Sequence, residues 1–366
     1  MASASPQTLF TVQALRALAA GAVLTHHVLH MLVHNAGYSL SVSTIGASGV
    51  DLFFVISGFI MVYTSYGSFR QPRASLSFLR RRAIRIVPIY WLYTTAVVLL
   101  LAFAPRLFSE TRFDWHHVIS SYLFLLSENT AGRVGTVMQT GWTLCFEVYF
   151  YLVFAVLLNL PRRYFLAASG AVFAAGTILG TVGEPAPWVT VATNPIVLEF
   201  YFGAVVAFLF LNGFVLPRLL AGAAIVLGIA IVAVTTDVDL GIWTRAVCWG
   251  LPASALLLGA VSLERRGMRV PRALVALGDS SYSLYLVHPF IVPALGKLWL
   301  ATHLSEHATP AILFVVAFSC SLAAGHASYR AIEKPVTRWL LRTWKSPASR
   351  SDRPANATLI GAGDRA

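Results

Sequence analysis

Long runs of apolar residues, separated by short polar segments, dominate this sequence. About ten runs approach the roughly 20 residues that a helix needs to cross a bilayer. The runs are continuous and do not alternate, which is not typical of a transmembrane β-barrel. The sequence therefore predicts an all-α, polytopic membrane protein with about ten transmembrane helices in one bundle. The predicted spans are 9–33, 47–65, 84–104, 141–160, 164–182, 195–212, 216–235, 243–262, 281–300 and 309–330.

Composition excludes the main alternative classes of protein. Only 11% of the residues are charged, against roughly 25% in a soluble domain, and 57% are hydrophobic. A soluble enzyme, a disordered chain and a collagen-like fibre are all inconsistent with these values. The three cysteines lie inside apolar runs without a disulfide or zinc spacing, so no metal site is predicted.

One transmembrane domain is predicted over 1–343, followed by a disordered cytoplasmic tail over 344–366 that is rich in Ser, Pro, Arg and Gly. The N-terminal apolar stretch contains Arg16 and several histidines, and we interpret it as a retained helix and not as a cleaved signal. The run near 117–127 is too short to cross, which indicates an interfacial piece of the 105–140 loop.

The net charge of +12 comes from 27 Lys and Arg against 15 Asp and Glu. The arginines concentrate in the loops after even-numbered spans, and acidic residues are frequent in the other loops. By the positive-inside rule, both termini are predicted to be cytoplasmic. No basic stripe with interleaved aromatics lies outside the apolar runs, so no nucleic-acid partner is expected.

Ionisable residues inside the predicted spans are candidate functional residues, because such groups are costly in a bilayer. Arg16 and His27 are 11 residues apart, which places them about 20° from one helix face and about 16.5 Å apart along the axis. His27 is predicted roughly 9 Å below the outer edge of its span. A hydrogen bond from the ring to backbone or to water is the structural alternative.

Two acidic residues are also predicted in the outer half of the bundle. Glu147 falls at the depth assigned to His27, so the two could form a proton-transfer pair. Asp51 lies about 6 Å below the outer surface, where a helix-start role is the alternative. Trp142 is typical of an interfacial aromatic belt.

A basic cluster lies at the predicted inner end of the third span. Arg82 and Arg85 are three residues apart and therefore share a helix face. Guanidinium groups bind phosphate oxygens through two parallel hydrogen bonds. Ordinary anchoring to lipid headgroups is the alternative.

The remaining polar positions have weaker predictions. Glu199 lies near an outer edge and is expected to reach the interface. His288 lies about seven residues from the cytoplasmic end of its span, before Pro289, which removes a helix donor. Glu333 at an inner edge could pair with an arginine or complement a helix end.

Together these residues predict two polar regions. The inner region contains Arg16, Arg82 and Arg85, and the outer region contains His27, Asp51 and Glu147. Anion binding inside with acid–base chemistry outside fits this arrangement, and so does a proton-coupled transporter.

Several motifs resemble those of the acyltransferase-3 family of membrane acyltransferases, most closely the bacterial exopolysaccharide O-acetyltransferases. The resemblance covers about residues 9–340. Its marks are the Arg16/His27 pair, GVDLFFVISGF (49–59), RAIRIVP (82–88), WTLCFE (142–147), SYSLYLVHP (281–289) and YRAIEKP (329–335).

The resemblance implies a ten-helix enzyme of the bacterial inner membrane. Such enzymes move an acyl group, usually acetyl, from cytoplasmic acyl-CoA to a carbohydrate hydroxyl on the outer side. It implies His27 as the catalytic histidine, and Glu147 at the family's acidic position as a second catalytic candidate. Arg16, Arg82 and Arg85 would bind the CoA donor. Asp51, Trp142, His288 and Glu333 are expected to support the substrate or the structure.

The expected partners are a carbohydrate acceptor and the lipid bilayer, and polysaccharide-synthesis machinery is a further candidate. Direct transfer and an acyl-enzyme intermediate both stay open. Two functions of other classes also stay open, a proton-coupled transporter and a non-catalytic component of polysaccharide export.

Overall fold

The structure is a computed structural model that describes residues 8–34, 36, 38, 44–108, 112–183, 185–236, 238, 241–304 and 308–343. The predicted disordered tail at 344–366 lies outside these residues.

Helices make up nearly all of the described chain. The α-helices are α1 (Phe10–His34), α2 (Ser48–Ser65), α3 (Ala74–Phe103), α4 (Trp115–Tyr122), α5 (Gly141–Leu157), α6 (Phe165–Leu179), α7 (Thr190–Thr193), α8 (Leu198–Leu211), α9 (Arg218–Thr235), α10 (Ile242–Arg245), α11 (Leu251–Arg265), α12 (Arg272–Asp279), α13 (Ser281–Ala301), α14 (Pro310–Ser328) and α15 (Lys334–Thr343). Short 3-10 turns cover Ile45–Ala47, Pro105–Leu107, Arg162–Tyr164, Pro187–Val189 and Pro195–Val197, and π-helical turns cover Ala246–Gly250 and Tyr329–Glu333. Two short strands, β1 (Ser127–Glu128) and β2 (Val134–Gly135), pair antiparallel.

The all-α prediction is confirmed, but the count of ten spans is not. Within the described ranges, seven helical segments are long and apolar enough to cross a membrane, or eight if the bent pair Pro187–Thr193 and Pro195–Leu211 forms one span. Each of the ten predicted runs contains a helix. However, α5 has 17 residues and α6 has 15, so they are only about 25 Å and 22 Å long. Both fall short of the roughly 30 Å hydrocarbon core.

Helix α3 differs most from its predicted bounds. It begins at Ala74, although the apolar run was predicted to begin at 84. Arg82 and Arg85 therefore lie in the third and fourth turns of α3. Their backbone N–H and C=O groups can form the hydrogen bonds of the helix. The basic cluster is part of the bundle and not a flanking loop.

Helix α2 occupies the centre of the bundle and touches α8 along a face of small residues. A Cβ added at Gly58 would lie 2.0 Å from the carbonyl oxygen of Phe200, and one added at Gly203 would lie 1.9 Å from that of Val55. Small residues allow backbones to approach this closely in membranes, where packing replaces the hydrophobic drive. This contact fixes the rotation of α2 and hence the direction of its polar side chains.

The segment between α3 and α5 folds against the end of the bundle. The Asp114 side chain accepts hydrogen bonds from the backbone N–H groups at the start of α4, and Tyr90 OH donates to the Ser121 carbonyl at 3.1 Å. With eight residues, α4 is too short to cross, in line with the interfacial piece predicted here. Burial lowers the pKa of His117 below its usual 6.5, although the Asp114 carboxylate opposes the shift. The Nδ1 atom of His117 lies 2.8 Å from the Ser127 hydroxyl.

Replacing Gly203 with alanine is expected to destabilise the bundle. The new methyl group would meet the Val55 carbonyl, and separating α2 from α8 costs about 1–3 kcal/mol. Gly222→Ala is the matched control, since a Cβ there meets nothing within 4 Å. Thermal unfolding of the two purified variants in detergent should give a lower melting temperature for Gly203→Ala only. Equal melting temperatures would contradict the close contact.

Candidate active site

A small cavity of about 90 Å³ lies among the helices, and several of the predicted polar residues line it. Helices α1, α2, α3, α5 and α13 all contribute to its wall. Most of the wall is apolar, and a few charged groups converge on it, which is the usual composition of a small-molecule site. Its polar lining residues are Arg16, Ser57, Arg82, Arg85, Thr143, Glu147, Tyr151, Ser281, Tyr282 and Tyr285.

Arg16 enters this cavity from α1. Its guanidinium donates from Nε and Nη2 to the Ser281 hydroxyl on α13, at 3.2 Å and 2.9 Å. The side chain is 7% exposed. The carboxylates of Glu333 and Glu147 act on its charge, and a guanidinium that lines a cavity can also donate to an anion there.

Arg82 and Arg85 enter from α3. Arg82 Nη2 donates to Thr64 Oγ1 at 3.1 Å, and its guanidinium carbon lies 5.5 Å from the Phe78 ring centre and 5.9 Å from that of Tyr151. Arg85 lines the same cavity. The structure thus places the three arginines predicted to bind the donor in the lining of one cavity.

Glu147 also faces this cavity, and the prediction that it pairs with His27 is wrong. Its carboxylate accepts hydrogen bonds from Ser57 Oγ at 3.0 Å and from Tyr151 OH. Equal distances from the ends of two predicted spans suggested one depth, but depth does not fix helix rotation. In the described structure the partner of His27 is another histidine.

That partner is His288 on α13. Its Nε2 lies 3.3 Å from His27 Nδ1, and the ring centres are 4.8 Å apart. His288 is 1% exposed, and His27 is half-buried. The sequence placed these residues near opposite membrane faces, whereas the structure makes them neighbours.

Backbone carbonyls fix the tautomers of both rings. His288 Nδ1 lies 3.0 Å from the Leu284 carbonyl oxygen, and His27 Nδ1 lies 2.9 Å from that of Val23. A carbonyl only accepts, so each Nδ1 carries the hydrogen when the ring is neutral. The Nε2 of His288 then accepts from His27, and the Nε2 of His27 keeps its lone pair for a reacting proton.

Tyr285 connects the histidine pair to the cavity. Its ring lines the cavity, and its centre lies 5.9 Å from that of His288. Its hydroxyl is within 2.9 Å of Thr143 Oγ1 on α5. His27 itself is not among the lining residues, so the arginine cavity and the imidazole pair adjoin each other across one aromatic side chain.

Asp51 does not join the cavity. It forms a bidentate ion pair with Arg245, with Nε to Oδ1 at 3.1 Å and Nη2 to Oδ2 at 3.0 Å. The structure does not bring it together with Glu147 in this cavity, because α2 turns its side chain towards Arg245 of α10. The Arg245 guanidinium carbon also lies 4.8 Å from the Trp249 ring centre.

Glu199 was expected to reach the interface but is fully buried. Its side chain fits beside Gly250, where an added Cβ would lie 2.8 Å from Glu199 Cγ. Arg245 was not among the residues predicted from the sequence, although a basic residue at the edge of an apolar run can mark the partner of a buried acid.

The last two predicted residues, Glu333 and Trp142, contact side chains of neighbouring helices. Glu333, in the π-helical turn after α14, accepts a hydrogen bond from Ser283 Oγ on α13 at 2.5 Å. Trp142 packs edge-on against Phe54 and Phe146 and is not among the cavity's lining residues. No group of three or more His, Cys, Asp or Glu within the described residues could hold a metal ion.

Similarity to known proteins gives independent evidence about the family of this chain. A family model for an acyltransferase domain matches residues 10–327. The exopolysaccharide production protein ExoZ of Rhizobium meliloti (strain 1021) is 37% identical over 316 residues, which cover 84% of this chain and 95% of that protein. The acyltransferase MdmB of Streptomyces mycarofaciens is 25% identical over 346 residues, covering 86% of this chain and 87% of that protein. No solved structure matches the chain at a significant level.

Arg245→Gln is expected to lower the free energy of unfolding by about 3 kcal/mol, because it leaves the Asp51 carboxylate buried without its cation. Exposed Arg272→Gln serves as the charge-matched control. Adding Asp51→Asn to Arg245→Gln should recover part of the loss by removing the stranded charge. Thermal unfolding in detergent measures all three, and no difference between Arg245→Gln and Arg272→Gln would show that the pair is not stabilising.

Proposed function

Because this chain belongs to the acyltransferase-3 family, we propose that it is a membrane O-acyltransferase acting in exopolysaccharide modification. It moves an acyl group, which we take to be acetyl, from cytoplasmic acyl-CoA to a hydroxyl of an extracytoplasmic or lipid-linked carbohydrate. The observation that carries this proposal is an imidazole pair, with nitrogens 3.3 Å apart, beside a cavity lined by three arginines.

The arginines that line the first cavity could bind the phosphate groups of the donor. Arg82 and Arg85 present guanidinium groups to the cavity from α3, and such groups bind phosphate oxygens well. Arg16 lies deeper along the path towards His27, since both are on α1. The three side chains would hold a phosphate-bearing thioester with its acyl end towards the imidazole pair.

His27 supplies the base in this proposal. Its Nε2 takes the proton of the carbohydrate hydroxyl as the hydroxyl oxygen bonds to the thioester carbonyl carbon. His27 then returns that proton to the sulfur when the carbon–sulfur bond breaks. The same Nε2 could instead accept the acyl group and pass it on, so both routes use one atom.

His288 is a positioning residue for this base. In the cationic state of His27, the Nδ1 hydrogen points to two acceptors, the Val23 carbonyl and His288 Nε2. Both contacts favour the imidazolium that forms during proton transfer. They also prevent a ring flip that would turn the wrong nitrogen to the substrate.

Glu147 acts on the donor side of the cavity in this proposal. Its carboxylate is held by Ser57 and Tyr151 and offsets one of the three arginine charges. Residual positive charge then matches a polyanionic donor. We therefore assign Glu147 to donor positioning, and His27 alone to proton transfer.

The proposed setting is the bacterial inner membrane, with both termini cytoplasmic and the arginine side of the cavity facing the cytoplasm. This orientation follows the arginine bias of the loops. Polysaccharide-synthesis machinery would supply the carbohydrate acceptor on the other side.

His27→Ala is expected to abolish acyl transfer while leaving the fold intact, because the ring is half-buried and its neighbours are two other imidazoles, His26 and His288, and a backbone carbonyl. Membranes holding each variant are supplied with labelled acetyl-CoA, and label on the glycan is measured. His30→Ala, one helical turn away and exposed, should retain activity. Full activity in His27→Ala would reject the assignment.

The same assay separates the enzyme from its rivals. Movement of carbohydrate across membranes without label transfer would identify a carrier. Tolerance of alanine at both Arg16 and His27, with export intact, would identify a non-catalytic export component.

His288→Leu is expected to lower kcat by about tenfold to a hundredfold with little change in KM for the donor, because His27 loses its second acceptor. His288→Gln should recover much of kcat, since an amide can accept from His27 and donate to the Leu284 carbonyl. Melting temperatures confirm that both variants are folded. A parallel rise in KM, or no rescue by glutamine, would contradict a positioning role.

A further inference from the structure

A second cavity lies at the ends of α2, α5 and α8, around the turns that precede α3 and α6. It is open to its surroundings and has a volume of about 630 Å³. Three arginines reach it from two different turns of the chain, Arg70 from one and Arg162 and Arg163 from the other. The remaining lining residues are Tyr66, Gly67, Phe69, Pro161, Leu166, Phe208 and Asn212.

Aromatic rings hold two of these arginines. The guanidinium carbon of Arg162 lies 4.1 Å from the Tyr66 ring centre, and that of Arg163 lies 4.7 Å from the Tyr164 ring centre. A ring contact of this kind is a cation–π interaction. A guanidinium stacked on a ring keeps its in-plane N–H donors free for a second partner.

Hydrogen bonds hold the Tyr66 side chain in place. Its hydroxyl donates to Asn212 Oδ1 at 3.2 Å, and Asn212 Nδ2 donates to the Phe208 carbonyl at 2.7 Å. This chain of contacts joins the end of α2 to the end of α8. Arg162 is therefore held over a surface that does not move independently of the bundle.

Arg70 sits in a strained turn. Its φ of 59° is in the left-handed region, which a side chain with a Cβ rarely adopts. The backbone N–H of Arg70 donates to the Leu158 carbonyl at 2.8 Å, so the turn is tied to the end of α5. Strain of this kind persists where surrounding contacts over-determine it.

Acidic residues do not balance these charges. Of the Asp and Glu residues that the structure describes, none lines this cavity. Three positive charges thus share one concave site, whereas arginines that only anchor a helix to headgroups need neither a shared cavity nor fixed stacking. A compact dianion or monoanion with several acceptor oxygens fits this arrangement.

We propose that this second cavity binds a phosphate group, held by Arg70, Arg162 and Arg163. Two ligands could present it here, an anionic lipid headgroup or a terminal phosphate of the nucleotide part of the donor. The end of α2 borders both cavities, because Thr64 accepts from Arg82 of the first and Tyr66 stacks under Arg162 of the second. Only the nucleotide source rests on the proposed function.

The test compares Arg162→Gln/Arg163→Gln with Arg269→Gln/Arg272→Gln. The control pair consists of two exposed arginines, Arg269 before α12 and Arg272 at its first position, and removes the same charge outside the cavity. The full-length proteins are placed in lipid nanodiscs of phosphatidylcholine, with or without phosphatidylglycerol. Native mass spectrometry counts retained phosphatidylglycerol, and calorimetry compares CoA with dephospho-CoA, which lacks the 3′-phosphate.

The cavity variant should bind its phosphate probe about tenfold more weakly or worse, with the control pair unchanged. Loss of phosphatidylglycerol retention identifies the lipid source, and loss of the preference for CoA over dephospho-CoA identifies the nucleotide source. Equal losses in both variants, or no loss with either probe, would overturn the site. If the double variant melts early, Arg163→Gln alone replaces it.

Failure of the proposed function would look different. Wild-type protein would then bind neither CoA nor dephospho-CoA, and the lipid comparison would still decide whether the cavity holds a phosphate.

Discussion

A bilayer core offers no water to polar groups, so each polar side chain inside it must find its partner within the bundle. In this protein those partners lie on other helices. Arg16 of α1 reaches Ser281 of α13, His27 of α1 reaches His288 of α13, and Asp51 of α2 reaches Arg245 of α10. The contacts that satisfy the polar groups also set how the helices face one another. The residues that join the helices are consequently also candidate functional residues.

Helix α2 shows how one segment serves several of these requirements. Its glycine face lies against α8, which locks its rotation. With that rotation fixed, Ser57 points into the arginine cavity and Asp51 points to Arg245. The close packing of α2 against α8 thus determines which polar groups Ser57 and Asp51 face on the other sides of the helix. No single motif in the sequence of α2 predicts these two directions.

The sequence predicts the helices well and their mutual contacts poorly. Apolar runs located all the main helices, and the candidates Arg16, Arg82 and Arg85 do converge on one cavity. Pairing was inferred from depth, by counting residues from the ends of runs, and this linked His27 to Glu147 in error. Helix tilt, rotation and real helix ends decide such contacts, as the earlier start of α3 shows. The contact between His27 and His288 cannot be predicted from the sequence without knowing the tilt, rotation and ends of the helices.

The hydrogen-bond order in the histidine pair bears on the choice between catalysis and proton transport. A relay passes a proton in through one ring nitrogen and out through another. Here the chain runs from His27 Nδ1 to His288 Nε2 and ends where His288 Nδ1 meets the Leu284 carbonyl. A carbonyl cannot take the proton onwards, so the buried end of the pair is closed. With these tautomers, His27 Nε2 is the ring nitrogen of the pair that is left to exchange a proton, and a proton taken up there leaves by the same atom. Acyl transfer from a thioester uses a base in this way, because the base takes a proton from a hydroxyl and returns it to the departing sulfur.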